Sequence, residues 1–328
     1  MTHSTRRAAL GGAFALGLGT IPVGTARAES YPSRPVRVII PFAPGAATDI
    51  LARLMAARFS EALGQPFPAE NRTGANGGIA AELVARGPKD GSMILQGTFS
   101  THATNPHIYR VAYDPVADFT PIVLIATVPQ LLVAHPALGI GSVQELIAAA
   151  RAKPGEIRVA TGGIGSSQHL SAVLFQREAK VSFDMIHYTR GFATVIPDLL
   201  ENRVNATFGD PLSLLPMVRD GKLKPLAVTA QARAEMLPAV PSIVEAGLPG
   251  AVSLTWYGMF VAAGTDPAIV AKLGETAVAA IRRPEVSGRI RELGGIPAGL
   301  GPAEFAAFQK NEFARWGEVI RTEGIRVE

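Results

Sequence analysis

The sequence predicts an α/β protein with two lobes, and three observations support this class. Short β-branched runs alternate with segments of helical apolar spacing over residues 31–130. A small-residue loop leads from a strand into a helix near residue 45, and a similar loop returns near residue 163. The chain of 328 residues is long enough for two domains of ordinary size. We therefore expect each lobe to be a mixed, mostly parallel sheet flanked by helices.

Residues 1–28 have the composition of an export signal. The pair Arg6-Arg7 precedes a mild apolar run rich in glycine, and Ala26-Arg27-Ala28 is a small-x-small cleavage pattern. We expect export to the periplasm by the twin-arginine route, with the Sec route as the alternative, and cleavage after Ala28.

Charge and composition exclude several classes of protein. The chain has 31 basic and 27 acidic residues, and the predicted signal carries only basic charge, so the remainder is close to neutral. This balance gives no basis for nucleic-acid binding. The absence of cysteine excludes disulfides and thiolate metal sites. The histidines are scattered, so we expect no metal site, and we expect no cofactor and a monomer.

The first strand–loop–helix unit runs from Val36 to Phe59. Val36–Ile40 reads as a buried parallel strand, Pro41–Ala47 as a loop, and Thr48 or Asp49 as the cap of a helix. Such a loop leaves backbone N–H groups free at the positive end of the helix dipole, where a carboxylate or phosphate binds. An ordinary α/β turn has the same pattern, so this unit alone does not decide between structure and binding.

The remaining elements follow in order along the chain. They are a strand in Pro66–Arg72, a glycine-rich turn at Thr73–Gly78, a helix at Ile79–Arg86, a strand at Ser92–Gly97, a polar loop at Thr98–His102, a long strand or strand pair in Phe119–Ala134, a helix from the capping box at Ser142 to Ala152, and strands at Ile157–Ala160, Met185–Tyr188, Ala206–Gly209 and Pro225–Thr229. Helices are also expected at Ala193–Glu201, at Ile243–Ala246, from Pro267 and at Pro302–Arg321.

The loop at Thr161–His169 repeats the pattern of the first loop with glycines and hydroxyls. Two loop-to-helix N-termini, one in each half, are expected to hold one anion in a cleft between lobes. If the strand at Leu254–Val261 rejoins the first sheet, residues 29–127 and 254–328 form lobe 1 and residues 128–253 form lobe 2.

An enzyme is the main alternative. Ser166 and Ser167 lie close in sequence to His169, which suggests a nucleophile and a base of an amidase-like hydrolase. Ser167 and His169, two residues apart, do not face each other along a helix, however, and no acidic residue lies nearby to orient the imidazole. We therefore expect ligand or loop hydrogen bonding there and no catalysis.

Several strings in a fixed order carry a family resemblance. They include Tyr31–Arg53, Glu70–Arg86, Asp90–Thr98, Gly165–Leu170 and Leu237–Gly250. From Tyr31 onward the chain resembles the Bug family of extracytoplasmic solute receptors, the substrate-binding proteins of tripartite tricarboxylate transporters. The resemblance implies a periplasmic-binding-protein fold of type II, which closes on a small organic carboxylate and delivers it to membrane permease subunits. A receptor that presents its ligand to a signalling partner is a further alternative.

The resemblance also implies that the loops at Phe42–Asp49 and Thr161–His169 line the cleft. The candidate ligand contacts are Phe42, Gly45, Ala46, Ala47, Thr48 and Asp49 in the first loop, Thr98, Thr101 and His102 after the strand at Ser92–Gly97, Thr161, Gly162, Gly165, Ser166, Ser167 and His169 in the second loop, and Arg190 and Asp210 further on.

This sequence departs from the family pattern at three places. Ala46 stands where a second glycine is usual, Arg190 stands at a position usually held by lysine, and Gly209 separates Phe208 from Asp210. Arg190 is able to form a forked carboxylate contact. In the family, phenylalanine is commonly followed directly by an aspartate, which often pairs with an amino group of the ligand. The shift of the aspartate to position 210 weighs against an amino-acid ligand.

Overall fold

The protein is described by a computed structural model that covers Met1, residues 31–188 and residues 192–326. The predicted export signal lies outside these residues. The strands are β1 Arg37–Ile40, β2 Ala69–Asn71, β3 Met93–Thr98, β4 Phe119–Pro129, β5 Leu131–Ala134, β6 Arg158–Thr161, β7 Asp184–His187, β8 Ala206–Gly209, β9 Lys224–Val228, β10 Leu254–Ala262 and β11 Ile296–Leu300. The α-helices are α1 Ala47–Leu63, α2 Gly78–Ala85, α3 Asn105–Ile108, α4 Val143–Ala152, α5 Ser167–Ala179, α6 Val195–Leu200, α7 Pro211–Arg219, α8 Pro267–Ile281, α9 Pro284–Glu292 and α10 Pro302–Thr322.

The strands form two mixed sheets, and we name the part of the chain around each sheet a lobe. The sheet of lobe 1 has the order β11-β4-β10-β3-β1-β2, in which β1 is parallel to β2 and β3 while β10 is antiparallel to β3 and β4. The sheet of lobe 2 has the order β7-β6-β8-β5-β9, in which β6 is parallel to β7 and β8. The parallel strands place the loops after β1, β3 and β6 at the carboxyl edges of their sheets.

The first unit folds as its apolar pattern predicts, apart from its cap. Val38, Ile39 and Ile40 are fully buried, as a strand between two helical layers requires. Helix α1 begins two or three residues earlier than expected, with Ala46 in the extended N-cap conformation and no side-chain cap. The prediction that Thr48 or Asp49 caps the helix is therefore wrong, because both lie inside its first turn. The helix ends at Gly64, which adopts a left-handed φ of 71°.

The chain crosses between the lobes at two points, and one threonine binds both. Gln130 separates β4 from β5, and Ser253 directly precedes β10. The Gln130 N–H donates to Thr229 Oγ1 at 2.8 Å, and Thr229 Oγ1 donates to the Ser253 carbonyl at 2.5 Å. The N–H of Thr229 donates in turn to the Gln130 carbonyl at 2.9 Å. The two crossing segments are therefore held side by side.

Helix α10 covers the sheet of lobe 1 with an aromatic face. Phe305 and Trp316 are buried, and the Trp256 ring of β10 meets the Phe305 ring edge-on at 5.8 Å. Gly258 of β10 leaves the space for this contact, because a Cβ there would lie 2.2 Å from the Phe305 ring. Phe308, which also faces this core, is only partly buried. The helix follows the predicted range to within one residue.

Five segments differ from the sequence prediction. Ile243–Ala246 forms hydrogen-bonded turns instead of a helix, because Gly247 follows at a left-handed φ of 82°. The polar loop after β3 is a helical turn, Ser100–Thr104. The elements α7, α9 and β11 were not predicted: prolines at the first position of both helices resemble turns, and β11 is an irregular edge strand containing Pro297 and Gly299.

Within the described part of the chain, none of the helices has both the length and the apolar character that crossing a membrane requires.

Candidate functional site

The first loop is held by a buried carboxylate. Asp49 accepts hydrogen bonds from the Gly45 N–H at 3.1 Å, from Arg53 Nε at 3.0 Å and from Asn71 Nδ2 at 2.9 Å. Asn71 also donates to the Phe42 carbonyl at 2.8 Å. Burial acts to raise the pKa of Asp49, but these hydrogen bonds outweigh it and the pKa is lowered. Asp49 is thus an ionised side chain that ties both ends of the loop to α1.

The start of α1 presents unused donors beside this loop. Ala46 accepts the N–H of Ile50 at 3.0 Å, so the first intrahelical bond begins there. Helix geometry leaves the N–H groups of Ala47, Thr48 and Asp49 without an intrahelical acceptor. Since Ala46 has no side-chain oxygen, it does not cap them. These groups form the positive end of the α1 dipole.

The second loop is held by neutral groups. The Ser166 side chain caps α5 by accepting the His169 N–H at 3.2 Å. The Gly165 N–H donates to His169 Nδ1 at 3.0 Å. At the start of the loop, Thr161 Oγ1 lies 2.7 Å from His187 Nδ1. The N–H groups of Ser167 and Gln168 have no intrahelical acceptor, as in the first turn of α1.

The imidazole of His169 in the second loop and that of the adjoining His187 in β7 are neutral at ordinary pH. Burial, and secondarily the nearby His187, lower the pKa of His169 to about 4. Burial also lowers the pKa of His187, whose ring lies edge-on to His169 at 4.7 Å. Because His169 Nδ1 accepts a hydrogen bond, the proton of its neutral ring is on Nε2. This loop therefore carries no formal charge of its own.

A chain of contacts brings the two loops to the same side of the molecule. Gly77 is tightly enclosed: a Cβ there would lie 2.8 Å from the Thr101 methyl and 3.5 Å from the Phe42 ring. The neighbouring Asn76 and Asn105 exchange hydrogen bonds of 2.8 Å. The residue before Asn105, Thr104, donates across the lobes to the Gly165 carbonyl at 3.3 Å.

A small hollow between the lobes adjoins the first loop. It is lined by Ala47 and Tyr257 of lobe 1 and by Asp210 of lobe 2, and its enclosed space holds about one water molecule. Gln130 Nε2 donates to Asp210 Oδ1 at 3.2 Å. Burial raises the pKa of Asp210, and the Gln130 hydrogen bond opposes this shift. Burial and the Asp210 charge raise the pKa of Tyr257, against a hydrogen bond with Thr48.

The residues after β3 lie deeper than a ligand contact requires. Thr98 and Thr101 are buried and bond each other, with the Thr98 N–H donating to Thr101 Oγ1 at 3.0 Å. The His102 ring is fully buried and stacks on Phe260 at 3.9 Å. Its Nδ1 lies 2.8 Å from Thr101 Oγ1, while its Nε2 has no partner among the described residues. Burial lowers the pKa of His102 to about 3, so this histidine belongs to the core of lobe 1.

The last two candidates have different outcomes. Arg190 lies outside the described residues. Asp210 lines the interlobe hollow. The presence of glycine at position 209, directly before it, has a steric cause. A Cβ at Gly209 would lie 2.2 Å from the Phe192 ring and 2.8 Å from Leu214. Phe192 therefore packs inside lobe 2, and only glycine fits beneath it.

Some residues at the site were not foreseen. Tyr257 reads as an ordinary residue of a return strand, and Gln130 as part of a long apolar stretch. Asn71, Asn76 and Asn105 all support the loops, yet nothing in their spacing relates them. A polar residue placed directly after a strand is the one available signal, and it holds for Gln130.

The comparisons with known proteins bear directly on this site. The model of the tripartite tricarboxylate transporter family receptor matches residues 51–325.

The chain belongs to this receptor family.

The protein BugT of Bordetella pertussis is 32% identical over 303 residues, which cover 92% of this chain and 93% of BugT. Rpa4515 of R. palustris, solved with adipate, is 39% identical to this chain with a TM-score of 0.82. The match covers 90% of this chain and 100% of the Rpa4515 chain. MatC of Rhodopseudomonas palustris, solved with bound malate, is 33% identical with a TM-score of 0.76 and covers 88% and 100%. The two-lobed fold and the family resemblance expected from the sequence are confirmed.

Two observations exclude the hydrolase alternative: the family of the chain, and the contact between Ser166 and His169. The family consists of receptors and not of enzymes. In the structure, Ser166 Oγ accepts the His169 N–H, and His169 Nδ1 is occupied by the Gly165 N–H. His169 Nδ1 is therefore not free to take a proton from a serine.

Proposed function

We propose that this protein is a periplasmic receptor that captures a small dicarboxylate between its lobes and delivers it to the membrane permease subunits of a tripartite tricarboxylate-type transporter. Membership of the receptor family supports the transport role. The ligands of two relatives, adipate and malate, support the substrate class. The predicted export signal supports the location.

The observation that carries this proposal is the pair of helix N-termini. The N–H groups of Ala47 and Thr48 open α1 in lobe 1, and those of Ser167 and Gln168 open α5 in lobe 2. Free N–H groups at a helix start bind anions without a charged side chain. Two such sites on different lobes match a ligand with a carboxylate at each end.

The charges near the loops fit a ligand held by main-chain groups. Asp49 lies in the first turn of α1, but its charge is offset by Arg53. The second loop is neutral. Tyr257 lines the hollow and forms a hydrogen bond with the Thr48 side chain, and both hydroxyls are neutral. Closure of the lobes then removes water from the carboxylates and strengthens each of these bonds.

Calorimetry on the chain without residues 1–28 tests the proposal. We expect adipate or malate, or another dicarboxylate of a small panel, to bind with a Kd on the order of micromolar, a free energy of about −8 kcal/mol. The corresponding diamides, which have the same length and no charge, are the control and should bind far more weakly. If no acid of the panel binds more tightly than about millimolar, the receptor proposal is wrong.

Proline substitutions test the role of the two N-termini. Ala47 and Ser167 occupy the first helical position, where proline is tolerated and only its missing N–H distinguishes it. Ala47→Pro and Ser167→Pro should each weaken dicarboxylate binding about tenfold, since each removes one hydrogen bond to a charged group. Ser167→Ala, which keeps the N–H, is the matched control. An unchanged affinity in both proline variants would remove the N-termini from the site.

A further inference from the structure

We infer that Thr104, Tyr109 and His169 form an interlobe latch on two consecutive peptide groups, Ile164-Gly165 and Gly165-Ser166, which sets the closed fraction of the protein without touching the ligand. This inference rests on the proposed function, because closure matters only for a receptor. The latch is defined by these three side chains and the two peptide groups that they hold.

The two bonds that the latch makes from lobe 1 end on neighbouring carbonyls of lobe 2. Tyr109 donates its hydroxyl to the Ile164 carbonyl at 3.2 Å, and Thr104 donates to the Gly165 carbonyl at 3.3 Å. The donors belong to the segment between β3 and β4 of lobe 1, and the acceptors to the loop after β6 of lobe 2. Thr104 is fully buried. The bonds are therefore present only while the lobes are together.

His169 holds the Ile164-Gly165 peptide group from its N–H end. The Gly165 N–H and the Ile164 C=O belong to one planar peptide group and point in opposite directions. His169 Nδ1 accepts the N–H at 3.0 Å, while Tyr109 donates to the C=O. His169 is 6% exposed, and its own N–H is fixed by Ser166. It is thus a positioning residue that aims the carbonyl at lobe 1.

The close approach of the lobes explains the glycine at this point. Gly165 has a left-handed φ of 76°, and a Cβ there would lie 2.3 Å from Ile108 Cδ1 of lobe 1. A side chain at position 165 would therefore be strained by the left-handed φ and would force the end of the Ile108 side chain to move. The donor side is equally well fixed, because the Tyr109 N–H bonds the Asn105 carbonyl at 2.7 Å and Asn105 is anchored by Asn76.

This arrangement predicts an effect that is independent of the ligand. A residue that contacts ligand changes affinity only through the bound state, whereas the latch also changes the closed fraction of the empty protein. Loss of one latch bond should lower the affinity for adipate and for malate by the same factor, about threefold to tenfold. The order of preference among ligands should not change.

Tyr109→Phe and Thr104→Val remove the hydroxyls with little change in shape. The chain contains no cysteine, so one dye can be placed on an introduced cysteine at an exposed position of each lobe. Single-molecule energy transfer on residues 29–328 then measures the closed fraction with and without adipate. We expect each variant to shift the empty protein toward the open state and to raise the dissociation rate of adipate.

His169 is tested by rescue. His169→Leu removes the acceptor and should behave like Tyr109→Phe, whereas His169→Asn offers an oxygen at similar reach and should restore most of the closed fraction. A thermal melt of each variant shows whether it is folded.

The outcomes separate this inference from the proposed function. An unchanged closed fraction and affinity in Tyr109→Phe and Thr104→Val would overturn the latch and leave dicarboxylate binding intact. If the wild-type chain binds no dicarboxylate, the proposed function fails, but energy transfer on the empty protein still decides whether the three side chains hold the lobes together.

Discussion

The loop after β1 and the loop after β6 both lead from a buried strand into a helix N-terminus, but different groups hold them. The first depends on one ionised carboxylate, Asp49, which binds Gly45, Arg53 and Asn71 within lobe 1. The second depends on neutral serine, threonine and histidine side chains and bonds directly to the other lobe. The first is thus suited to a fixed wall, and the second to a contact that forms and breaks.

The difference shows how two anion-binding turns divide one task. An ionised side chain inside the first turn of α1 stabilises the helix, but it also repels an anion unless a cation offsets it. Arg53 provides that offset. The neutral second loop needs no such compensation, so its donors remain available to the ligand and to lobe 1. Two predictions, on Asp49 and on the helix caps, test this division, and one on His102 tests the core of lobe 1. They run from the largest expected effect to the smallest.

Asp49→Ala should destabilise the protein more than any other substitution in either loop. The change leaves Asn71 and the Gly45 N–H without their acceptor and removes the partner of Arg53. We expect a loss of about 3 kcal/mol in the free energy of unfolding, measured with urea. Glu82→Ala removes the carboxylate of the exposed Glu82–Arg86 pair and is the control, with an expected loss below about 0.5 kcal/mol. Equal losses in the two variants would contradict the role of Asp49.

His102 should make the stability of lobe 1 sensitive to acid. Its pKa falls from 6.5 in the unfolded chain to about 3 when folded, so below pH 6.5 the unfolded chain takes up a proton that the folded protein does not. Stability therefore falls as the pH drops from 6.5 toward 3. Between pH 6.5 and pH 4, His102→Phe should lose less stability than the wild type, by on the order of 3 kcal/mol.

Urea unfolding at several pH values measures this difference. His102→Phe keeps a flat ring against Phe260 and removes the titration, and it also loses the contact with Thr101 Oγ1, a loss that does not depend on pH. Thr101→Val, which loses the same contact but keeps the imidazole, is the control and should retain the acid sensitivity of the wild type. If His102→Phe and the wild type have parallel pH profiles, the buried imidazole does not cause the acid sensitivity.

Exchanging the caps should have the smallest effect on stability and an opposite effect on binding. Ala46→Ser adds the cap that α1 lacks and should stabilise the protein by about 0.5–1 kcal/mol. The new side chain would occupy an N–H of the first turn, so dicarboxylate affinity should fall. Ser166→Ala removes the cap of α5 and should cost about 1 kcal/mol.

Thermal melts and calorimetry on both variants decide this point. A rise in both stability and affinity in Ala46→Ser would mean that the N–H groups of the first turn do not bind ligand. Ala303→Ser, at an exposed position in the first turn of α10, is the control and should change neither quantity appreciably.

Much of the fold follows from local patterns. The units around β1 and β6 and the long α10 are set by buried β-branched runs and by apolar spacing, which act over short stretches of chain. Helix α9 and strand β11 escaped prediction because Pro284, Pro297 and Gly299 resemble breaks. A proline at the first helical position and an edge strand both tolerate these residues.

The site was less predictable than the fold, for a physical reason. The glycine loops are local signals, whereas the functions of Tyr257, Asn105 and Tyr109 arise from contacts between distant parts of the chain. His102 shows the reverse case: a polar string after a strand suggested a ligand contact, but aromatic packing with Phe260 and Phe119 carries the ring into the core. Burial of this kind depends on tertiary partners that the sequence order does not reveal.

Thr229 ties together the two places where the chain passes from one sheet to the other. Any swing of one half of the molecule relative to the other must therefore turn about this residue, and displacements grow with distance from it. A dye pair far from Thr229 would report a small torsion as a large change in signal. Thr229→Val, which loses the hydroxyl but keeps the shape, would loosen this pivot. It should widen the distribution of angles between the lobes without altering the surface that contacts the ligand.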